Sequence, residues 1–184
     1  MVTNHQIRLC GFGGQGIILA GFIIGQAATV YEGINAVFTQ DYGPEARGGS
    51  CRADVIISDE IVNYPYVEYP SVLVAMSQAG YDKYYRDIGP DIVVIIDEDL
   101  VTPDPAAPNR ILAIPAWRFA RELGRVAVAN VVMLGFFAGA TDYISPDSIK
   151  NSILASVPKG TEELNTKAFE RGFEHASEKK DQPQ

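Results

Sequence analysis

The chain reads as an α/β protein built on a mixed, mostly parallel sheet, and three observations predict this. An apolar strand runs through a glycine turn into an apolar helix, in Ile7-Arg8-Leu9-Cys10-Gly11-Phe12-Gly13-Gly14-Gln15-Gly16 followed by Ile17-Ile18-Leu19-Ala20. A second strand–helix–strand unit follows at 71–96, with the near-continuous apolar strands of a parallel sheet. Between them, 51–58 begins too soon after the preceding strand for a crossover helix, so it runs antiparallel to its neighbours.

Each element follows from local chemistry. Residues 6–10 form the first strand. From 14 to about 31 the apolar residues fall on nearly every face, which predicts a helix buried on two sides, with Gly21 and Gly25 on one face for close packing. Gly33 ends it as a left-handed cap, and 34–39 is the second strand. A right-handed crossover then sets the end of strand two beside the end of strand one, at the edge that carries the glycine turn. A polar, glycine-rich loop, 39–50, leaves that edge and leads into 51–58. Asp59-Glu60 turns the chain into a short edge piece, 61–65, stopped by Pro65, with 66–70 as loop. Residues 71–76 are a buried strand, 77–86 a helix, 91–96 a strand, 101–109 a proline-rich loop and 111–114 a last short strand. The remainder is helical: 117–123 stopped by Gly124, 129–140, a helix opened by Ser145-Pro146-Asp147, and one opened by Thr161-Glu162-Glu163. Residues 1–176 make one domain and the charged 177–184 a disordered tail.

Composition narrows the function. The 184 residues are 47% hydrophobic and 21% charged, an ordinary globular balance. Fifteen Lys plus Arg against 23 Asp plus Glu leave a net charge of -8, which argues against nucleic acid as a partner. The two cysteines, Cys10 and Cys51, form neither a Cys-x-x-Cys pair nor a cluster-binding set. The start of the chain has no basic, apolar leader, and the apolar stretches 16–28 and 126–140 are shorter than the roughly 20 residues a bilayer needs. A cytoplasmic protein that spans no membrane is expected.

Catalytic groups are scarce. The histidines, His5 and His175, sit near the two ends and read as structural or solvated, and Asp97-Glu98-Asp99 reads as a solvated strand end; no catalytic residue and no metal site is assigned. What remains is two glycine loops. Gly11, Gly13, Gly14, Gln15 and Gly16 offer backbone donors at a helix start, and the second loop offers Tyr42, Arg47, Gly48 and Gly49, with a guanidinium suited to phosphate. Together they form an anion or nucleotide cradle; equally, the glycines permit close packing while Arg47 pairs with Glu45 or Asp41. Gly11-x-Gly13-x-x-Gly16 also satisfies the Rossmann-like dinucleotide pattern, with Asp41 near the place of a ribose-binding acid. A stand-alone NAD-binding oxidoreductase is thus a second reading, set back by the Gly13-Gly14-Gln15-Gly16 turn and the long polar loop.

The residues that carry a resemblance are Gly11-Phe12-Gly13-Gly14-Gln15-Gly16, Tyr42-Gly43-Pro44-Glu45-Ala46-Arg47-Gly48-Gly49, Ile56-Ile57-Ser58-Asp59 and Val128-Ala129-Asn130-Val131-Val132-Met133-Leu134-Gly135. By these the chain resembles the gamma subunit of the 2-oxoacid:ferredoxin oxidoreductases over residues 6–175. The resemblance implies a three-layer α/β/α domain that docks on alpha, beta and delta (ferredoxin-like) subunits. Those partners would hold thiamine diphosphate, magnesium and iron–sulfur clusters, and the enzyme would convert a 2-oxoacid, coenzyme A and oxidised ferredoxin into acyl-CoA, carbon dioxide and reduced ferredoxin. This chain would help form the coenzyme A site at its glycine loops, or serve as a non-catalytic scaffold. With Met76-Ser77-Gln78, the second loop is most similar to 2-oxoglutarate members, then to branched-chain and pyruvate members. The apolar helices at 126–140 and after the glycine turn are candidates for the subunit contact, with core burial expected for most of their side chains.

Overall fold

A computed structural model describes residues 4–42 and 49–180. The strands are β1 (Asn4–Phe12), β2 (Asn35–Tyr42), β3 (Ser50–Ser58), β4 (Val72–Ala75), β5 (Val93–Asp97) and β6 (Arg110–Ile114). The helices are α1 (Ile17–Gln26), prolonged by a π-helical turn over Ala27–Tyr31, then α2 (Gln78–Tyr84), α3 (Ala116–Glu122), α4 (Ala129–Ala140), α5 (Pro146–Ser156) and α6 (Glu162–Lys180). The sheet order is β2-β3-β1-β4-β5-β6, with β3 antiparallel to both neighbours and β1, β4, β5 and β6 mutually parallel.

The mixed sheet and the reversed third strand are as the sequence predicts, but β2 does not lie beside β1. β3 is inserted between them, pairing Phe12 with Ser50 on one side and Tyr42 with Cys51 on the other. Burial explains the order: Ala53, Val55 and Ile57 are fully buried, so β3 takes an interior place, whereas β2 is half-exposed and takes the edge. The ends of β1 and β2 still share one sheet edge, one strand apart. α1 crosses β3 closely to reach β2, since a Cβ at Gly21 would come within 2.6 Å of the Ala53 Cβ.

Helices cover the two faces unequally. α1, α3, α4, α5 and α6 pack on the face that carries Ile7, Leu9, Val55 and Ile57. On the other face α2 sets Tyr81 and Tyr84 over Cys10, Leu73, Ala75 and Val94. Beside this second cluster Arg8 is buried in a bidentate pair with Asp54, at 2.9 and 3.0 Å, and Arg52 meets the same carboxylate at 3.3 Å. The buried charges are therefore paired and hydrogen-bonded, the condition under which a protein interior tolerates them.

Two expectations need correction, and an alternative left open is decided. Residues 61–65 form no strand; among the described residues they pair with none of the six strands of the sheet. The helix at 126–140 takes the core fate expected for most of its side chains: α4 is buried from Ala129 to Gly139 and lies backbone to backbone against α6 at Gly135 and Gly172. The expected tail is helical as far as Lys180, and Lys179 Nζ donates to Ala113 O at 2.6 Å, which ties the end of α6 to β6; residues 181–184 lie outside the described residues. Among the described residues no helix is long and apolar enough to cross a membrane.

Candidate functional site

The turn between β1 and α1 is built from inside the chain. Gln15 N donates to Phe12 O at 3.1 Å, and the Gln15 side chain closes the same turn by accepting from Phe12 N at 2.7 Å. Its amide nitrogen donates to Met76 O at 2.8 Å, pinning the turn to the end of β4. Gln15, expected to face a ligand, thus holds the turn in place. Gly11 serves packing too, since a Cβ there would lie 2.6 Å from Gln15 Oε1 and 2.7 Å from Ile17 Cδ1. Gly16 adopts φ 76° and caps α1, and a Cβ there would collide with Asn130 of α4, whose Nδ2 donates to Gly16 O at 3.2 Å. Gly14 differs, because its φ is 99° and the space beside it is open.

The two glycine loops do meet, as Gly13 N donates to Gly49 O at 3.0 Å. Arg47 and Gly48 lie outside the described residues. Between the turn, α1 and the edge strand lies an open cleft of about 570 Å³. Gly13, Gly14 and Gly16 line one end, Leu19 and Phe22 one wall, Phe38, Gln40 and Tyr42 the other, with Cys51 also lining it. The first-turn N–H groups of any helix lack intrahelical partners, so this end suits an anion while the walls suit an apolar chain. Burial pushes the Cys51 thiol up, so it remains protonated near neutral pH and is a poor nucleophile. Tyr42 is exposed at the rim.

A smaller cleft of about 160 Å³ adjoins the same turn on its far side, lined by Gly14, Gly16 and Leu19 together with Arg125, Asn130 and Asn165. Arg125 is exposed there, a cation next to the anion-suited turn. Sequence reasoning missed Arg125, Phe38 and Gln40 as site residues. Alternation along β2 could have placed Phe38 and Gln40 with Tyr42, and a lone polar residue in an apolar helix could have singled out Asn130. Nothing in the local sequence marks Arg125.

Alternation removes the ribose-binding acid. Phe38, Gln40 and Tyr42 face the cleft, so Asp41 faces the opposite side, where it approaches Arg52 at 3.8 Å under the Tyr84 ring. The acid run is structural. Asp97, fully buried, accepts from Trp117 N at 2.9 Å and from Asp99 N at 3.2 Å, while Asp99 and Glu98 pair with Arg118. Burial pushes the Asp97 carboxyl up to about 6. His5 stacks on Tyr143 and His175 packs against Phe119 and Phe136, and burial lowers both imidazoles, keeping them neutral. No group of acidic, histidine or cysteine side chains among the described residues could hold a metal ion.

A family profile for pyruvate ferredoxin/flavodoxin oxidoreductases matches residues 6–175. The chain is 51% identical to the 2-oxoglutarate synthase subunit KorC of Methanocaldococcus jannaschii, over 95% of both chains. It superposes with a TM-score of 0.84 on the gamma subunit of a keto/oxoacid ferredoxin oxidoreductase from Geobacter sulfurreducens, at 40% identity over 95% of this chain and 99% of that one. The same fold, at 23% identity and a TM-score of 0.85, makes up 31% of a longer chain. That chain is the 2-oxoglutarate:ferredoxin oxidoreductase of Magnetococcus marinus, whose structure holds 2-oxoglutarate, coenzyme A and succinyl-CoA; this match covers 95% of the present chain.

Proposed function

Because the chain belongs to the pyruvate ferredoxin/flavodoxin oxidoreductase family, we propose that it works as the gamma subunit of a 2-oxoglutarate:ferredoxin oxidoreductase and contributes a coenzyme A site at its glycine-turn cleft. The observation that carries this reading is the 51% identity with a 2-oxoglutarate synthase subunit over 95% of both chains. The reaction takes 2-oxoglutarate, coenzyme A and oxidised ferredoxin to succinyl-CoA, carbon dioxide and reduced ferredoxin. Thiamine diphosphate with magnesium, and the iron–sulfur clusters, belong in this reading to alpha, beta and delta subunits, where they supply carbanion chemistry and electron transfer. The complex works in the cytoplasm, with Cys10 and Cys51 as buried free thiols.

The chain's own part is binding and orientation. Coenzyme A couples a charged diphosphate end to a long, largely uncharged arm ending in a thiol. The turn at Gly13, Gly14 and Gly16, with Arg47 from the second loop and Arg125 from the far side, meets the phosphates. Leu19, Phe22 and Phe38 line the arm and exclude water from it. The open mouth of the cleft lets the thiol point towards a partner subunit. The competing role is a scaffold, favoured by one observation: Gly11, Gln15 and Gly16 are engaged in packing and in closing the turn.

Steady-state kinetics of the assembled enzyme separate the two. Arg47→Ala and Arg125→Ala should each raise KM for coenzyme A about tenfold, the loss of one charge-assisted contact, with kcat and KM for 2-oxoglutarate unchanged. Coenzyme A constants within about twofold of wild type in both variants would leave only the scaffold.

A further inference from the structure

The loop 59–70, between β3 and β4, has no regular structure and is tied to β3 and β1 at its two ends. Glu60 N donates to Ser58 Oγ at 3.1 Å, and Arg8 donates to Val67 O at 2.7 Å. Glu68 N and Tyr69 N both donate to Gln6 Oε1, at 3.1 and 3.3 Å. Val67 is the inward anchor, 6% exposed. Outward the loop presents Ile61 at 78% exposure, Tyr64 at 55%, Tyr66 at 57% and Tyr69 at 81%, with the Tyr64 and Tyr66 rings in edge contact at 5.5 Å. It springs from the end of β3 that pairs with the start of β1, so it lies at the opposite end of the sheet from the glycine turn.

A hydrated loop with no binding role has no reason to expose four large apolar side chains so close together. A docking loop has two: ends tied to the sheet limit the entropy lost on binding, and tyrosines bury much area with few rotatable bonds. Charge then selects the occupant. Glu60 and Glu68 accompany the rings, and no Lys or Arg occurs between Arg52 and Lys83. Nucleic acid and anionic lipid are repelled by such a surface. A second copy meeting it through the same loop would set carboxylates against carboxylates. A protein surface carrying Arg or Lys among apolar groups fits, because its cations can pair with the carboxylates and lie over the tyrosine faces.

We infer that the 59–70 loop is a docking surface for a basic, apolar patch on a partner subunit of the same enzyme, separate from the contact that completes the cleft. This rests on the reading of the chain as a subunit. The test is assembly with co-expressed partner subunits, using Tyr64→Ser with Tyr66→Ser, and separately Glu60→Gln with Glu68→Gln. The tyrosine pair should weaken assembly about tenfold or more. The glutamine pair should weaken it less and flatten its dependence on salt. Amide exchange at 61–69 in the wild-type chain should slow on assembly, which reads the contact without any variant. Wild-type assembly affinity in both variants, or unchanged exchange across 61–69, overturns the inference and leaves the subunit reading intact. Protection of 61–69 that instead follows self-association of the chain alone also overturns it. A chain that assembles with none of those subunits overturns both.

Discussion

Gly14 and Gly16 share a sequence context and a left-handed backbone, yet different physics constrains them. At Gly14 a Cβ meets nothing, so Gly14→Ala should cost only backbone strain, about 1 kcal/mol. At Gly16 the strain adds to a collision with Asn130 and to loss of the bond that locks α1 onto α4, so Gly16→Ala should cost about 2–4 kcal/mol. Urea unfolding of the two variants checks the order. Asp97 supplies a pH prediction of the same scale. Burial raises its carboxyl to about 6, above its value in the unfolded chain, so its contribution is fully present at low pH and is lost as pH rises through about 6. Asp97→Asn keeps an acceptor for Trp117 N but cannot ionise. The stability of the variant relative to wild type should therefore grow between pH 4 and 6 and level off above about 7, as read by chemical denaturation at several pH values.

At the scale of elements, the contact between α4 and α6 decides most about the helical layer. A Cβ at Gly135 would strike Phe169 O, and one at Gly172 would strike Val132 O, so the obstacle is backbone that cannot rotate away. Gly135→Ala should force the helices apart and cost about 3 kcal/mol or more, whereas Gly89→Ala, in open space, should stay within about 0.5 kcal/mol. Thermal unfolding of both variants checks the contrast. The same contact explains why the apolar run at 126–140, a candidate for both core and partner surface, is core: α6 covers it from a distant part of the chain. α1 is intermediate, with Ile17, Ile23 and Ile24 buried while Leu19 and Phe22 stay exposed along the cleft.

For the whole molecule, the placement of β3 between β1 and β2 organises both the fold and the site. It widens the gap between the glycine turn and the edge strand, and the cleft occupies that gap. Strand–turn–helix at Gly11 to Gly16, the reversed third strand, the second βαβ unit and the helical C-terminal half were all legible in the sequence. Each depends on local period, on turn chemistry or on a connection too short for a crossover. That β1 and β2 end at one sheet edge was legible too, although the contact between the two glycine loops, Gly13 N to Gly49 O, extends the β1–β3 pairing and not a β1–β2 one. What tertiary structure alone decided was what each residue at that edge is used for. Gln15 is spent on Met76 O, Asp41 is turned to the other face of the sheet, Asn130 and Arg125 come to the turn from more than a hundred residues away, and the end of the 59–70 loop at Val67 to Tyr69 is tied down by Gln6 and Arg8. The physical reason is that propensity and periodicity act over a few residues, whereas a hydrogen-bond partner, a buried face or the wall of a cleft is supplied by whichever distant segment the packing brings alongside.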